Sequence, residues 1–91
     1  MSEGALRIKR QAVIAAALTP IMSPYTTGAV TITNETNNDV AVHTNSDESE
    51  YYNLAKGAGM VLSLGQYSFR PGAVAFWLKA VSDGIVVLAW H

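Results

Sequence analysis

The feature that most constrains this chain is its C-terminal segment. Val74-Ala75-Phe76-Trp77-Leu78-Lys79-Ala80-Val81 and Ile85-Val86-Val87-Leu88-Ala89-Trp90 are two runs of β-branched, apolar and aromatic residues around Ser82-Asp83-Gly84. Such residues fit a pleated, half-buried surface. Asp-Gly between two such runs is a favoured two-residue hairpin turn, because both central residues need φ > 0. With Asp83 and Gly84 at the tip, the predicted register sets Val81 opposite Val86, Lys79 opposite Leu88 and Trp77 opposite Trp90. A slip of one residue would turn every side chain to the other face.

Alternation divides this predicted hairpin into two faces. Phe76, Leu78, Ala80, Ile85, Val87 and Ala89 are expected to face the domain core. Trp77, Lys79, Val81, Val86, Leu88 and Trp90 form the other face, which is nearly as apolar and carries a single charge. A strand pair that is apolar on both sides belongs inside a sandwich or at a subunit interface. A chain of 91 residues has little left to cover a second face. These six residues are therefore expected to contact a partner, unless the N-terminal segment folds back over them.

Composition supports an associating protein. Asp, Glu, Lys and Arg make up 14% of the chain, against about 25% in a typical domain. Small domains expose proportionally more surface and so need more charge. A formal net charge of −1 argues against a broad basic face for nucleic acid. The absence of cysteine removes a disulfide framework, thiolate metal ligands and a cysteine nucleophile. The length supports one domain with a radius of about 12 Å.

Residues 29–91 read as a β domain. Ala29–Asn34 alternates with Val30 and Ile32 on one face, Asp39–Thr44 with Val40 and Val42, and the polar turn between them suggests a hairpin. Glu50–Leu54, Met60–Leu64 and Gln66–Phe69 are further candidate strands. Lys56-Gly57-Ala58-Gly59 and Arg70-Pro71-Gly72 are turn signals.

Residues 1–28 read as an N-terminal arm. Leu6-Arg7-Ile8-Lys9 alternates like a strand, whereas Gln11–Leu18 is alanine-rich and predicts one or two helical turns stopped by Pro20. Arg7, Lys9 and Arg10 form the one basic cluster, suited either to an acidic partner surface or to keeping an apolar arm soluble. A basic stretch before Ala12–Leu18 also has the order of a secretory leader. Glu3 and the lack of a clean small-x-small cleavage site favour an ordered arm instead. The apolar run is too short to span a bilayer.

Catalytic and metal chemistry is sparse. His43 and His91 lack a metal-ligand spacing, and His43 is expected on the solvent side of its strand. Asn45, Asp47, Glu48 and Glu50 are oxygen donors without the calcium-loop pattern. Asn34-Glu35-Thr36 is a glycosylation sequon. No serine sits in a strand–turn–helix elbow, and no Gly-rich phosphate loop precedes a helix. No enzyme, cofactor or metal is expected.

The strings Val30-Thr31-Ile32-Thr33-Asn34, Val40-Ala41-Val42, Phe69-Arg70-Pro71-Gly72 and Phe76-Trp77-Leu78-Lys79-Ala80 followed by Asp83-Gly84-Ile85-Val86-Val87-Leu88 resemble small β domains among the virion structural proteins of tailed bacteriophages. Capsid cement and decoration proteins are of this kind. The resemblance covers residues 28–91 and involves no catalytic motif. It implies a virion protein that oligomerises and clamps a major capsid or other virion protein, with the arm laced onto a neighbour.

The expected fold is thus an all-β antiparallel sandwich or jelly-roll-like barrel of six to seven short strands, preceded by the arm. The expected partner surface is Trp77, Lys79, Val81, Val86, Leu88 and Trp90, with Arg7, Lys9 and Arg10 on the arm. The alternative from another class is a carbohydrate- or host-surface-binding β module of a fibre or tail. Exposed aromatics with Asn and Asp nearby would favour that alternative.

Overall fold

The computed structural model describes residues 7–22, 28–44, 50–63 and 74–90. They form β1 (Arg7–Val13), β2 (Leu18–Met22), β3 (Ala29–Asn34), β4 (Val40–His43), β5 (Tyr51–Leu54), β6 (Gly59–Ser63), β7 (Val74–Ala80) and β8 (Gly84–Trp90). Two antiparallel four-stranded sheets result, ordered β1-β8-β3-β6 and β2-β7-β4-β5. The first four strands pair in reverse order with the last four: β1 with β8, β2 with β7, β3 with β6 and β4 with β5. Two further ladders, β3 with β8 and β4 with β7, roll this long ribbon into a sandwich. That is the strand order of a jelly roll, with eight strands in place of the expected six to seven.

Alternation decides which side chains meet between the sheets. Val30, Ile32, Val40, Val42, Phe76, Leu78, Ala80, Val86, Leu88 and Trp90 point inward and are at most 2% exposed. Each large apolar side chain so buried contributes about 1.5–3 kcal/mol. The Phe76 and Trp90 rings lie 6.0 Å apart and tilted by 38°, joining β7 of one sheet to β8 of the other in a favourable aromatic geometry. The radius of gyration is 12.5 Å, close to that expected from length.

The predicted hairpin of β7 and β8 does not form. The two strands lie in opposite sheets, where Trp77 is opposite Pro20 and His43, and Trp90 is opposite Arg7 and Val30. A short link between two alternating runs can make a hairpin or a corner between sheets, and local sequence does not separate them. Here Val81-Ser82-Asp83 crosses the sandwich, whose layers are about 10 Å apart. The corner reverses the parity of β8, so Val86, Leu88 and Trp90 become core while Ile85, Val87 and Ala89 face outward. Neither Asp83 nor Gly84 has a positive φ; among the described residues only Ala16 (64°) and Gly57 (77°) do. Gly84 is needed for space instead, since a Cβ there would sit 2.9–3.0 Å from Thr36 Cγ2, Cα and Cβ. β3 and β4 likewise keep their predicted inward faces but pair with other strands.

The expected arm is a further correction. β1 and β2 are the edge strands of the two sheets, so residues 7–22 belong to the sandwich. The helical preference of Gln11–Leu18 gives way to the ladder of β1 along the whole of β8. The β1–β2 corner is pinned by the Ala15 amide donating to Asp83 Oδ1 at 2.7 Å and the Ala16 amide donating to the Ala80 carbonyl at 2.8 Å. Pro20 is tolerated in β2 because an edge strand leaves one side without a ladder. Gln66–Phe69, Arg70-Pro71-Gly72, Asn45, Asp47, Glu48 and His91 lie outside the described residues.

Candidate functional site

The expected partner residues are dispersed. Val86 and Leu88 are fully buried and Trp90 is 2% exposed, so they are core and unavailable to a partner. Trp77 and Lys79 are half-buried on the outer side of β7, and Val81 is exposed beside them. The basic cluster divides as well. The β1 register sets Arg7 opposite Trp90, Lys9 on the core-facing parity opposite Leu88, and Arg10 on the outer parity opposite Val87. Lys9 is exposed at the rim despite that parity, and a charge so placed on an edge strand hinders edge-to-edge pairing. Arg10 forms an ion pair with Glu35 at 3.2 Å, with both side chains substantially exposed; such pairs contribute a few tenths of a kcal/mol.

Two outer faces remain. On β1-β8-β3-β6, the register lines up Ile8, Ala89, Thr31 and Val61 in one row across four strands. The adjacent row is Arg10, Val87, Thr33 and Gly59, and Ala12 and Ile85 follow. Ile8 and Val61 are both 65% exposed. Sequence alternation did foresee a second apolar face on β8, but assigned it to the wrong set of residues.

On β2-β7-β4-β5, one row runs Pro20, Trp77, His43 and Tyr51, and the next runs Leu18, Lys79, Ala41 and Asn53. The His43 and Tyr51 rings are 5.2 Å apart and tilted by 43°. Although His43 is on the outer side of its strand, it is 4% exposed, against the expectation of a solvent-facing histidine. Its Nδ1 is buried with no hydrogen-bond partner. Asn53 Nδ2 donates to Asp39 Oδ2 at 3.1 Å. Asp39, Ala41, His43, Tyr51, Asn53 and Lys79 line a groove of about 550 Å³ that extends to Ala16 and Val81. Of its lining, Lys79 and Val81 stand in the partner surface expected from sequence and His43 among the histidines weighed there, whereas Asp39, Ala41 and Asn53 were not singled out. The register that sets His43 between Trp77 and Tyr51 depends on long-range pairing.

The sequon is closed. Asn34 is fully buried and its amide donates to the Asn38 and Leu54 carbonyls, so it presents no accessible nitrogen in the folded chain. Among the described residues, no group of three or more His, Cys, Asp or Glu is placed to hold a metal, and no helix is long and apolar enough to cross a membrane. Compared with protein-family models, curated proteins and solved structures, the chain gives no match.

Proposed function

We propose that the chain is a non-enzymatic virion structural protein, a capsid cement or decoration subunit, that associates with further copies of itself and with the shell through the outer face of β1-β8-β3-β6. The observation that carries this reading is the exposure of Ile8 and Val61, 65% each, at the two flanks of a face whose centre is Ile85, Val87 and Ala89. The charges at this face are Arg10 and Glu35, and they neutralise each other. The low charged fraction of the chain and its resemblance to phage virion proteins point the same way. Residues 7–13 and 18–22 are edge strands of the two sheets, so the association proposed here runs through a sheet face and not through an arm.

Size indicates the kind of contact. Four strands at about 4.8 Å spacing and five residues at about 3.4 Å give a face of about 300–400 Å². A stable pairwise interface takes about 800 Å² per partner. One such contact is weak, and many of them around a shell add through effective concentration. Sedimentation velocity of the full chain should show reversible, concentration-dependent self-association, and the chain should co-sediment with assembled capsid shells. Ile8→Lys with Val61→Lys should abolish both without lowering the melting temperature. A wild-type chain that stays monomeric at every concentration and ignores shells would refute the reading.

A further inference from the structure

The groove on the opposite sheet has no part in that association, and its lining is chemically specific. We propose that it binds a pyranose sugar of a glycan. Tyr51 is 60% exposed and stands at the end of the Pro20–Trp77–His43–Tyr51 row, so its ring offers an apolar face at the groove edge. One row further along the strands, about 6.8 Å away, Ala41 and Asn53 follow. Ala41 keeps the floor low between two larger neighbours. Asn53 and Asp39 are already joined by a hydrogen bond at 3.1 Å. That bond uses Asn53 Nδ2 and Asp39 Oδ2, both side chains are exposed, and an acid–amide pair of this kind can receive two adjacent hydroxyls.

The spacing matters as much as the residue types. A pyranose ring spans roughly the distance between the aromatic row and the polar row, so its C–H face can rest on Tyr51 while its hydroxyls reach Asp39 and Asn53. The groove volume, about 550 Å³, lies within the range of small-molecule sites, about 300–1,000 Å³. The lining includes one anion, Asp39, and one cation, Lys79, which favours a neutral polyol over a charged ligand. The unpartnered Nδ1 of His43 lies beneath this floor. A buried polar atom without a partner is costly, so a ligand hydroxyl that reaches it would gain a hydrogen bond the free chain lacks.

The test is a titration of the isotope-labelled full chain, followed by amide chemical shifts, with glucose, galactose, mannose and N-acetylglucosamine. At least one sugar should shift the amides of Ala41, Tyr51 and Asn53, saturating in the millimolar range. Tyr51→Ala and Asn53→Ala, both at exposed positions, should each weaken that binding by about tenfold while keeping the melting temperature. Ile8→Lys with Val61→Lys should leave it unchanged, so loss of self-association and loss of sugar binding are read separately. The proposal is overturned if none of the four sugars shifts these amides, or if Tyr51→Ala binds as well as the wild type. It is also overturned if Tyr51→Ala reduces only co-sedimentation with shells, which would make the groove a protein contact.

Discussion

The side-chain amide of Asn34 donates to the carbonyl of Leu54 at 2.9 Å in the interior of the sandwich, tying the end of β3 to the end of β5 in the opposite sheet. The same amide donates to the Asn38 carbonyl at 2.7 Å, while Oδ1 accepts from the Thr36 amide at 2.9 Å and the Thr36 hydroxyl at 2.7 Å. Every donor and acceptor direction of the side chain is used. Asn34→Asp keeps the shape, loses both donors and sets a carboxylate against two carbonyls. Orphaned buried groups cost about 1–3 kcal/mol each, so a loss of about 3–5 kcal/mol is expected in urea unfolding. A loss under 1 kcal/mol would mean that the network does not hold this junction.

Gly84 and Thr36 make a second test. A methyl group at position 84 would meet Thr36 Cγ2 at 2.9 Å and its Cα and Cβ at 3.0 Å. Backbone atoms yield poorly, and overpacking of this kind costs about 1–3 kcal/mol. Gly84→Ala should therefore destabilise by that amount, and Thr36→Ser in the same chain should restore only part of it, because Cα and Cβ remain. In a two-residue hairpin the cost would come from φ, and Thr36 would make no difference.

The local period was legible in the sequence, and the partner of each strand was not. Val30, Ile32, Val40, Val42, Phe76 and Leu78 were readable as inward-facing because alternation is a property of a few consecutive residues. Pairing Trp77 with His43, or Trp90 with Val30, joins residues far apart in the chain, and no turn signal encodes that. The error at Ser82-Asp83-Gly84 then spread to a whole strand, exchanging the core and surface sets of β8. His43 was misplaced for the same reason, since its burial comes from the neighbouring strands in its row. The virion-like strings pointed to a β domain, and the groove at Asp39, Ala41 and Asn53 carried no motif.

The β1–β2 corner stores strain that can be released. Ala16 has φ 64°, a left-handed conformation that costs an L-residue about 1–2 kcal/mol. Ala16→Gly removes that cost and adds unfolded-state entropy, so a net gain of about 0.5 kcal/mol is expected. Asp83→Ala removes the acceptor of the Ala15 amide, 2.7 Å away, and should cost about 1 kcal/mol. In a domain of this size each kcal/mol moves the melting temperature by about 4–8 °C, so the two variants should shift in opposite directions in a thermal melt.

The two tryptophans should behave unequally. Trp90 is 2% exposed and packs on Phe76 across the core, whereas Trp77 is half-buried on an outer face. Trp90→Ala should cost about 3–5 kcal/mol and leave little folded protein at 37 °C. Trp77→Ala should fold and lose less than half as much. In folded single-tryptophan chains that carry phenylalanine at the other position, acrylamide should quench Trp90 weakly and Trp77 more readily. Equal quenching would contradict the placement of β7 and β8 in separate sheets.

His43 inverts the usual rule for buried positions. At 4% exposure, a substitution normally lowers stability, yet its Nδ1 is buried without a partner. Leucine has a comparable volume and no polar atom to leave unpaired, and removing an unsatisfied group can be neutral or favourable. His43→Leu should therefore hold the melting temperature or raise it by a few degrees, while weakening any sugar bound in the groove. A drop of more than about 2 kcal/mol would mean that Nδ1 has a bound water in solution, and that the imidazole stabilises the sheet as well as lining its groove.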